Sequence, residues 1–201
     1  MRKEPQKKNA KSFSRSMPSP HLKSFLDYIR RYQRLFAYCP FVQEVYLANS
    51  MTFNALTANS DIDIFVIAKE GRVRLARAYM SMIMWILGIK RSRSRSSMRF
   101  CLSFFVTPSA SNLHPLLLHN RDLYLPYWIV HLVPIYLLEG KASIYASNQR
   151  VQTFLPFWQA EQQIFLPLIP RQGRHWLRQL REALHWGWIG NFWESCLQIL
   201  R

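Results

Sequence analysis

The sequence predicts an α/β (α+β) fold: a short mixed sheet with helices packed on it and a helical C-terminal part. Three observations carry that prediction. Runs rich in β-branched and aromatic residues occupy 42–48, 61–68 and 99–106. A mostly apolar stretch with helical character, 73–87, separates the second run from the third. The later part of the chain carries apolar stripes at helical spacing. The order strand–loop–strand–helix–strand gives a sheet with helices expected on one side.

The elements follow in chain order. Met1–Pro20 is rich in Lys, Ser and Pro without apolar periodicity, so a disordered basic arm is expected over 1–20. His21–Tyr38 places Leu22, Phe25, Leu26, Ile29, Tyr32 and Leu35 at helical spacing and predicts an amphipathic helix, ended by Cys39-Pro40. Strand Val42–Ala48 follows, then a connection over Asn49–Ser60 with Ser50 opening a short helix Met51–Leu56, then strand Asp61–Ala68. Glu70-Gly71 makes a turn. A helix over Val73–Leu87 then ends at Gly88, with Leu75, Ala76, Met80, Met82, Ile83, Trp85 and Ile86 expected to pack across the sheet. Arg72, Arg74 and Arg77 crowd its first turns, against the helix dipole. The basic Lys90–Ser97 loop leads to strand Arg99–Val106. The core is thus expected over 21–110 and a mostly helical region over 111–201, including an apolar helix at Asp122–Val133. Near the C-terminus, two helical stretches over Leu177–Leu200 break around Gly187–Gly190, with one stripe from Trp176 to Trp188 and another from Phe192 to Leu200. That Trp-rich region suits packing or a homodimer surface; stacking of Trp186 and Trp188 on bases is a lesser use.

Composition narrows the function classes. Apolar and aromatic contents of 49% and 14% are those of a chain that buries a core. Cys39, Cys101 and Cys196 are widely spaced and odd in number, without a zinc-ligand pattern, which fits reduced thiols and a cytoplasmic setting. No apolar run reaches the roughly twenty residues a membrane span needs, and the N-terminus has no secretory signal pattern. The net charge of +16 is concentrated in 1–35, 69–99 and 171–201, patches that attract polyphosphate or nucleic acid. The six histidines are scattered and form no catalytic or ligand spacing.

The chemistry concentrates in one stretch: Ala48-Asn49-Ser50, ten further residues, then Asp61-Ile62-Asp63-Ile64-Phe65-Val66. Strand alternation projects Asp61 and Asp63 from one face while Ile62, Ile64 and Val66 face a core. Two adjacent carboxylates repel unless a cation lies between them, so the pair is a candidate site for a hard divalent ion with phosphate.

This stretch resembles the signature of the polymerase-beta-like nucleotidyltransferase superfamily, a Gly-Ser pair closing one strand and Asp-x-Asp on the next, over roughly residues 40–107. The whole layout is similar to uncharacterised bacterial nucleotidyltransferase-domain proteins. The resemblance implies a palm-type sheet and transfer of a nucleoside monophosphate from an NTP to an acceptor. It implies Asp61 and Asp63 as catalytic ligands of Mg²⁺ (or Mn²⁺). Asn49, Ser50 and nearby amides would hold the nucleotide phosphates, and Arg72, Arg74 and Arg77 would stabilise their charge. Asn49 replaces the glycine and can adopt the left-handed backbone. The third carboxylate implied on a later strand is absent from Arg99–Val106, leaving Glu44, Glu70 and Asp122 as candidates. The alternative is the same fold with a degenerate site, acting as a basic nucleic-acid-binding or partner-binding module.

Overall fold

The computed structural model describes residues 19–117, 124–148, 169–173, 175–185 and 187–199. Most of the expected basic arm, Asp122 and Trp186 lie outside the described residues.

Five strands form one mixed sheet: β1 (Val42–Leu47), β2 (Ile62–Ala68), β3 (Phe100–Val106), β4 (Val133–Leu137) and β5 (Arg171–Gln172). Their order is β3-β2-β1-β4-β5. β1 is antiparallel to both β2 and β4, whereas β2 is parallel to β3 and β4 to β5. The β2–β3 pair is parallel because α2 (Val73–Ile86) carries the chain back across the sheet between them.

Helices cover both faces, not the one side expected. On the first, α1 (Leu22–Tyr32) and α2 pack Phe25, Ile29, Leu75, Ala76 and Met80 against Val45, Leu47, Ile62, Ile64 and Val66. On the second, α3 (Tyr124–Val130) and α4 (Ser143–Ser147) pack Trp128, Ile129, Ile144 and Tyr145 against Tyr46, Phe65 and Ile67. The cause is already in β1 and β2: side chains of both parities are apolar, as in a strand buried on both sides.

Four further expectations are corrected. The helix over His21–Tyr38 is α1 followed by a 3-10 segment, Gln33–Tyr38. Gln33 at the junction is buried and donates its amide to the carbonyls of Ile135 and Ile169, both at 2.6 Å. The helix Met51–Leu56 is a single 3-10 turn, Asn49–Met51, with Asn54 in a left-handed conformation soon after it (φ 54°). Val133 belongs to β4 and not to the preceding helix. Pro134, which follows the expected helix, sits where the β1–β4 register shifts, a position that tolerates a residue without an N–H. Finally, α2 ends at Gly88 as expected, with φ 63°, but Met82, Trp85 and Ile86 are exposed rather than packed on the sheet.

The C-terminal part provides α5 (Trp176–Leu184) and α6 (Trp188–Ile199). α5 ends at Leu184 and α6 begins at Trp188, and Gly190 lies within α6, where a Cβ would come 2.1 Å from the His185 carbonyl oxygen. Only glycine permits that approach. α5 does not turn its apolar stripe inward: Trp176, Leu180 and Leu184 are exposed, while Arg178 is buried. Its Nε donates to Glu182 Oε1 (2.6 Å) and its NH1 to the Tyr136 hydroxyl (2.8 Å). The same Glu182 oxygen accepts from the Phe41 amide (2.9 Å), where Phe41 is left-handed at the entry to β1. A hydrogen-bonded ion pair, rather than a leucine stripe, therefore ties α5 to the sheet.

Candidate functional site

The site lies where β1 ends and β2 begins. Asn49 leaves β1 with φ 59°, doing with an asparagine what a glycine would do there. The turn folds back on the next strand: the Ala48 amide donates to the Asp63 carbonyl (3.0 Å), and Asn49 Nδ2 donates to Asp63 Oδ2 (3.0 Å). Trp128 Nε1, from α3, donates to Asn49 Oδ1 (2.9 Å). An indole is only a donor and a carboxylate only an acceptor, so the amide of Asn49 has one orientation available. Three elements thereby fix the turn against the acid. Ser50 is half-buried in the 3-10 turn that follows.

Asp61 and Asp63 share one face, as alternation requires, and the β3 register places Cys101 opposite Asp63. One ligand-type atom from each of Asp61, Asp63 and Cys101 lies within 4.8 Å of the others. Ser103 Oγ donates to the second oxygen of Asp63, at 2.5 Å. Arg91 NH1 stands 2.8 Å from Asp61 Oδ2 and 3.5 Å from Cys101 Sγ. The contact to Asp61 is an ion pair without hydrogen-bond alignment, because that buried oxygen has no hydrogen-bond partner among the described residues. Hydrogen bonding to Cys101, then the charge of Asp61, raises the Arg91 guanidinium above its ordinary value.

This cluster can bind a metal ion. A buried carboxylate oxygen without a hydrogen bond is costly unless positive charge faces it, and each carboxylate oxygen that already accepts one bond retains a second lone pair.

The other expected residues lie elsewhere. Arg72 and Arg74 stand where α2 starts, beyond the opposite end of β2. Arg72 NH1 donates to Asn191 Oδ1 (2.7 Å), and its NH2 to the Gly187 carbonyl (3.4 Å). Glu194 of α6 accepts from the amides of Arg74 (2.7 Å) and Leu75 (2.9 Å). The first turn of α2 thus obtains from α6 the negative charge that its own arginines lack. Arg77 lies over the ring of Phe105, 5.2 Å from its centroid. Arg74 and Arg77 line an open groove along β3 with Phe104, Phe105 and Thr107, and it reaches Ser103, the residue bonded to Asp63. Of the candidate third carboxylates, Glu44 accepts from the Tyr46 hydroxyl and the Ser143 amide. Glu70 accepts from the Ser109 amide, and hydrogen bonding from the Ser109 side chain, then from that amide, lowers its carboxyl below the ordinary range.

Sequence reasoning missed Cys101, Ser103, Arg91 and Trp128. The polar residues of the 99–106 run, Cys101 and Ser103, left a signal only of a polar strand; their place beside the acid pair is set by the pairing of β3 with β2.

No protein-family model matches the chain, and no curated protein matches it. Among solved structures, the chain is similar to one described as the crystal structure of the toxin-antitoxin with AMP-PNP. The match has 17% sequence identity, covers 71% of this chain and 95% of that one, and has a TM-score of 0.34. A likeness at that level carries no argument about fold, ligand or reaction.

Proposed function

We propose that the protein is nucleotidyltransferase-like: it binds an NTP with a divalent cation, Mg²⁺ or Mn²⁺, and transfers the nucleoside monophosphate to an acceptor. The observation that carries this reading is the closure of the left-handed Asn49 turn onto Asp63, fourteen residues later. It brings the phosphate-seat turn and the acid pair together. Asp61 and Asp63 hold the cation, which when bound neutralises charge on the departing pyrophosphate. Ser50 and the amides after it hold the phosphates, while Asn49 and Ser103 keep the Asp63 carboxylate oriented. Arg74 and Arg77 face anionic parts of the substrate or acceptor along the β3 groove. Arg72 takes no such part, since its nitrogens hold α6.

Calorimetric titration of each NTP, with and without Mg²⁺ or Mn²⁺, tests the proposal. Metal-dependent binding is expected, lost in Asp61→Asn and Asp63→Asn variants that keep their circular dichroism. If no NTP binds the wild-type chain with either ion, the proposal fails.

The Arg91 contact to Asp61 favours a second reading, in which the guanidinium permanently replaces the cation and the basic patches hold nucleic acid. That module would bind RNA or DNA with an affinity falling steeply as salt rises, through counterion release. Its binding would be indifferent to Asp61→Asn.

A further inference from the structure

We propose that the thiolate of Cys101 is the third ligand of the acid-pair site, so that the site prefers a first-row transition divalent cation, from Mn²⁺ to Zn²⁺, over Mg²⁺. The proposal rests on the reading of Asp61 and Asp63 as cation ligands and adds the identity of the ion.

Register supplies the first argument. β2 and β3 are parallel with Asp63 opposite Cys101, so β3 offers sulfur beside the acid pair, the Ser103 hydroxyl being engaged as a donor to Asp63 Oδ1. The three donor atoms lie within 4.8 Å of one another. Metal–oxygen bonds of about 2.1 Å and metal–sulfur bonds of about 2.3 Å put neighbouring ligands roughly 3–3.7 Å apart. Small side-chain rotations close that difference.

Charge supplies the second. A single nitrogen, Arg91 NH1, contacts both Asp61 Oδ2 and Cys101 Sγ, so one positive charge already stands among the donors. It leaves the buried Asp61 oxygen without a hydrogen bond. Arg91 is half-exposed on the Lys90–Ser97 loop and can swing into solvent, giving its place to an ion of higher charge.

Donor chemistry supplies the third. Mg²⁺ demands hard oxygen ligands, whereas a thiolate favours softer ions, and affinity for a given site rises from Mn²⁺ towards the later metals.

The test is titration of the full, reduced chain with Co²⁺, whose thiolate complexes show a ligand-to-metal charge-transfer band in the near ultraviolet. The band should appear at one ion per chain, survive in Cys39→Ser and Cys196→Ser, and vanish in Cys101→Ser. Removing a ligand should cost Co²⁺ affinity at least the roughly 10- to 100-fold that loss of an outer-shell partner costs. Cys101→Asp, which restores a carboxylate set, should raise Mg²⁺ affinity relative to Co²⁺ and serves as the folded control. Bound Co²⁺ without the band, or a band that persists in Cys101→Ser, overturns the proposal. The readout needs no nucleotide. A Cys101-dependent band in a chain that binds no NTP sustains the metal site and removes the transferase reading, whereas Mg²⁺-dependent NTP binding with no band does the reverse.

Discussion

Asn49 acts at the candidate site through both its backbone and its side chain. Its backbone is left-handed, and its side chain joins Trp128 to Asp63. The two contributions separate by substitution. Asn49→Gly keeps the backbone and loses the bonds, and should cost about 1–3 kcal/mol. Asn49→Ala loses the bonds and strains the backbone as well, and should cost about 1 kcal/mol more. Urea denaturation reads the difference; equal losses would mean that the left-handed turn is not under strain. The acid pair was legible in the sequence because strand alternation acts within one segment. Cys101 and Ser103 were not, because their place beside Asp63 is set by pairing between strands forty residues apart. Arg91 was read as part of a basic connector, since nothing local says which acid a loop arginine meets.

At the scale of elements, periodicity located most helices and strands but misassigned faces. α5 shows why. Its leucines and tryptophan fall on a stripe, yet the face that meets the sheet carries Arg178 and Glu182, whose bonds reach Tyr136 and Phe41. Hydropathy cannot rank a buried, fully paired arginine above an exposed leucine. Arg178→Ala leaves Glu182 partly buried without its partner and should cost roughly 3–5 kcal/mol, as breaking a buried pair does. Chemical denaturation measures it; a loss below about 1 kcal/mol would show the pair to be no more than a surface contact. β4 was hidden for a different reason. Pro134 is a helix stop in isolation, and only the register shift opposite β1 makes room for it in a strand.

At the scale of the whole molecule, both faces of the sheet are covered, and the second face buries phenols. Burial raises the hydroxyls of Tyr46 and Tyr145, in each case reinforced by the charge of Glu44. It also raises Tyr136, against the opposing charge of Arg178. The folded chain therefore holds these protons to higher pH than the unfolded chain does. Their contribution is complete below the ordinary tyrosine value of about 10 and declines as pH rises beyond it. Stability should fall steeply above about pH 10. In ultraviolet difference titration, the tyrosinate signal of these residues should appear only with unfolding; ionisation at the ordinary value in a folded chain would contradict their burial. No helix among the described residues is long and apolar enough to cross a membrane. The Glu194 contact has one more consequence, for the order in which the chain is made. The carboxylate that completes the start of α2 lies 120 residues downstream of Arg74. At ordinary rates of synthesis it follows on the order of 10 s later. Throughout that interval α2 must keep its place by its grip on the sheet alone, so its first turn is the last part of the helix to mature.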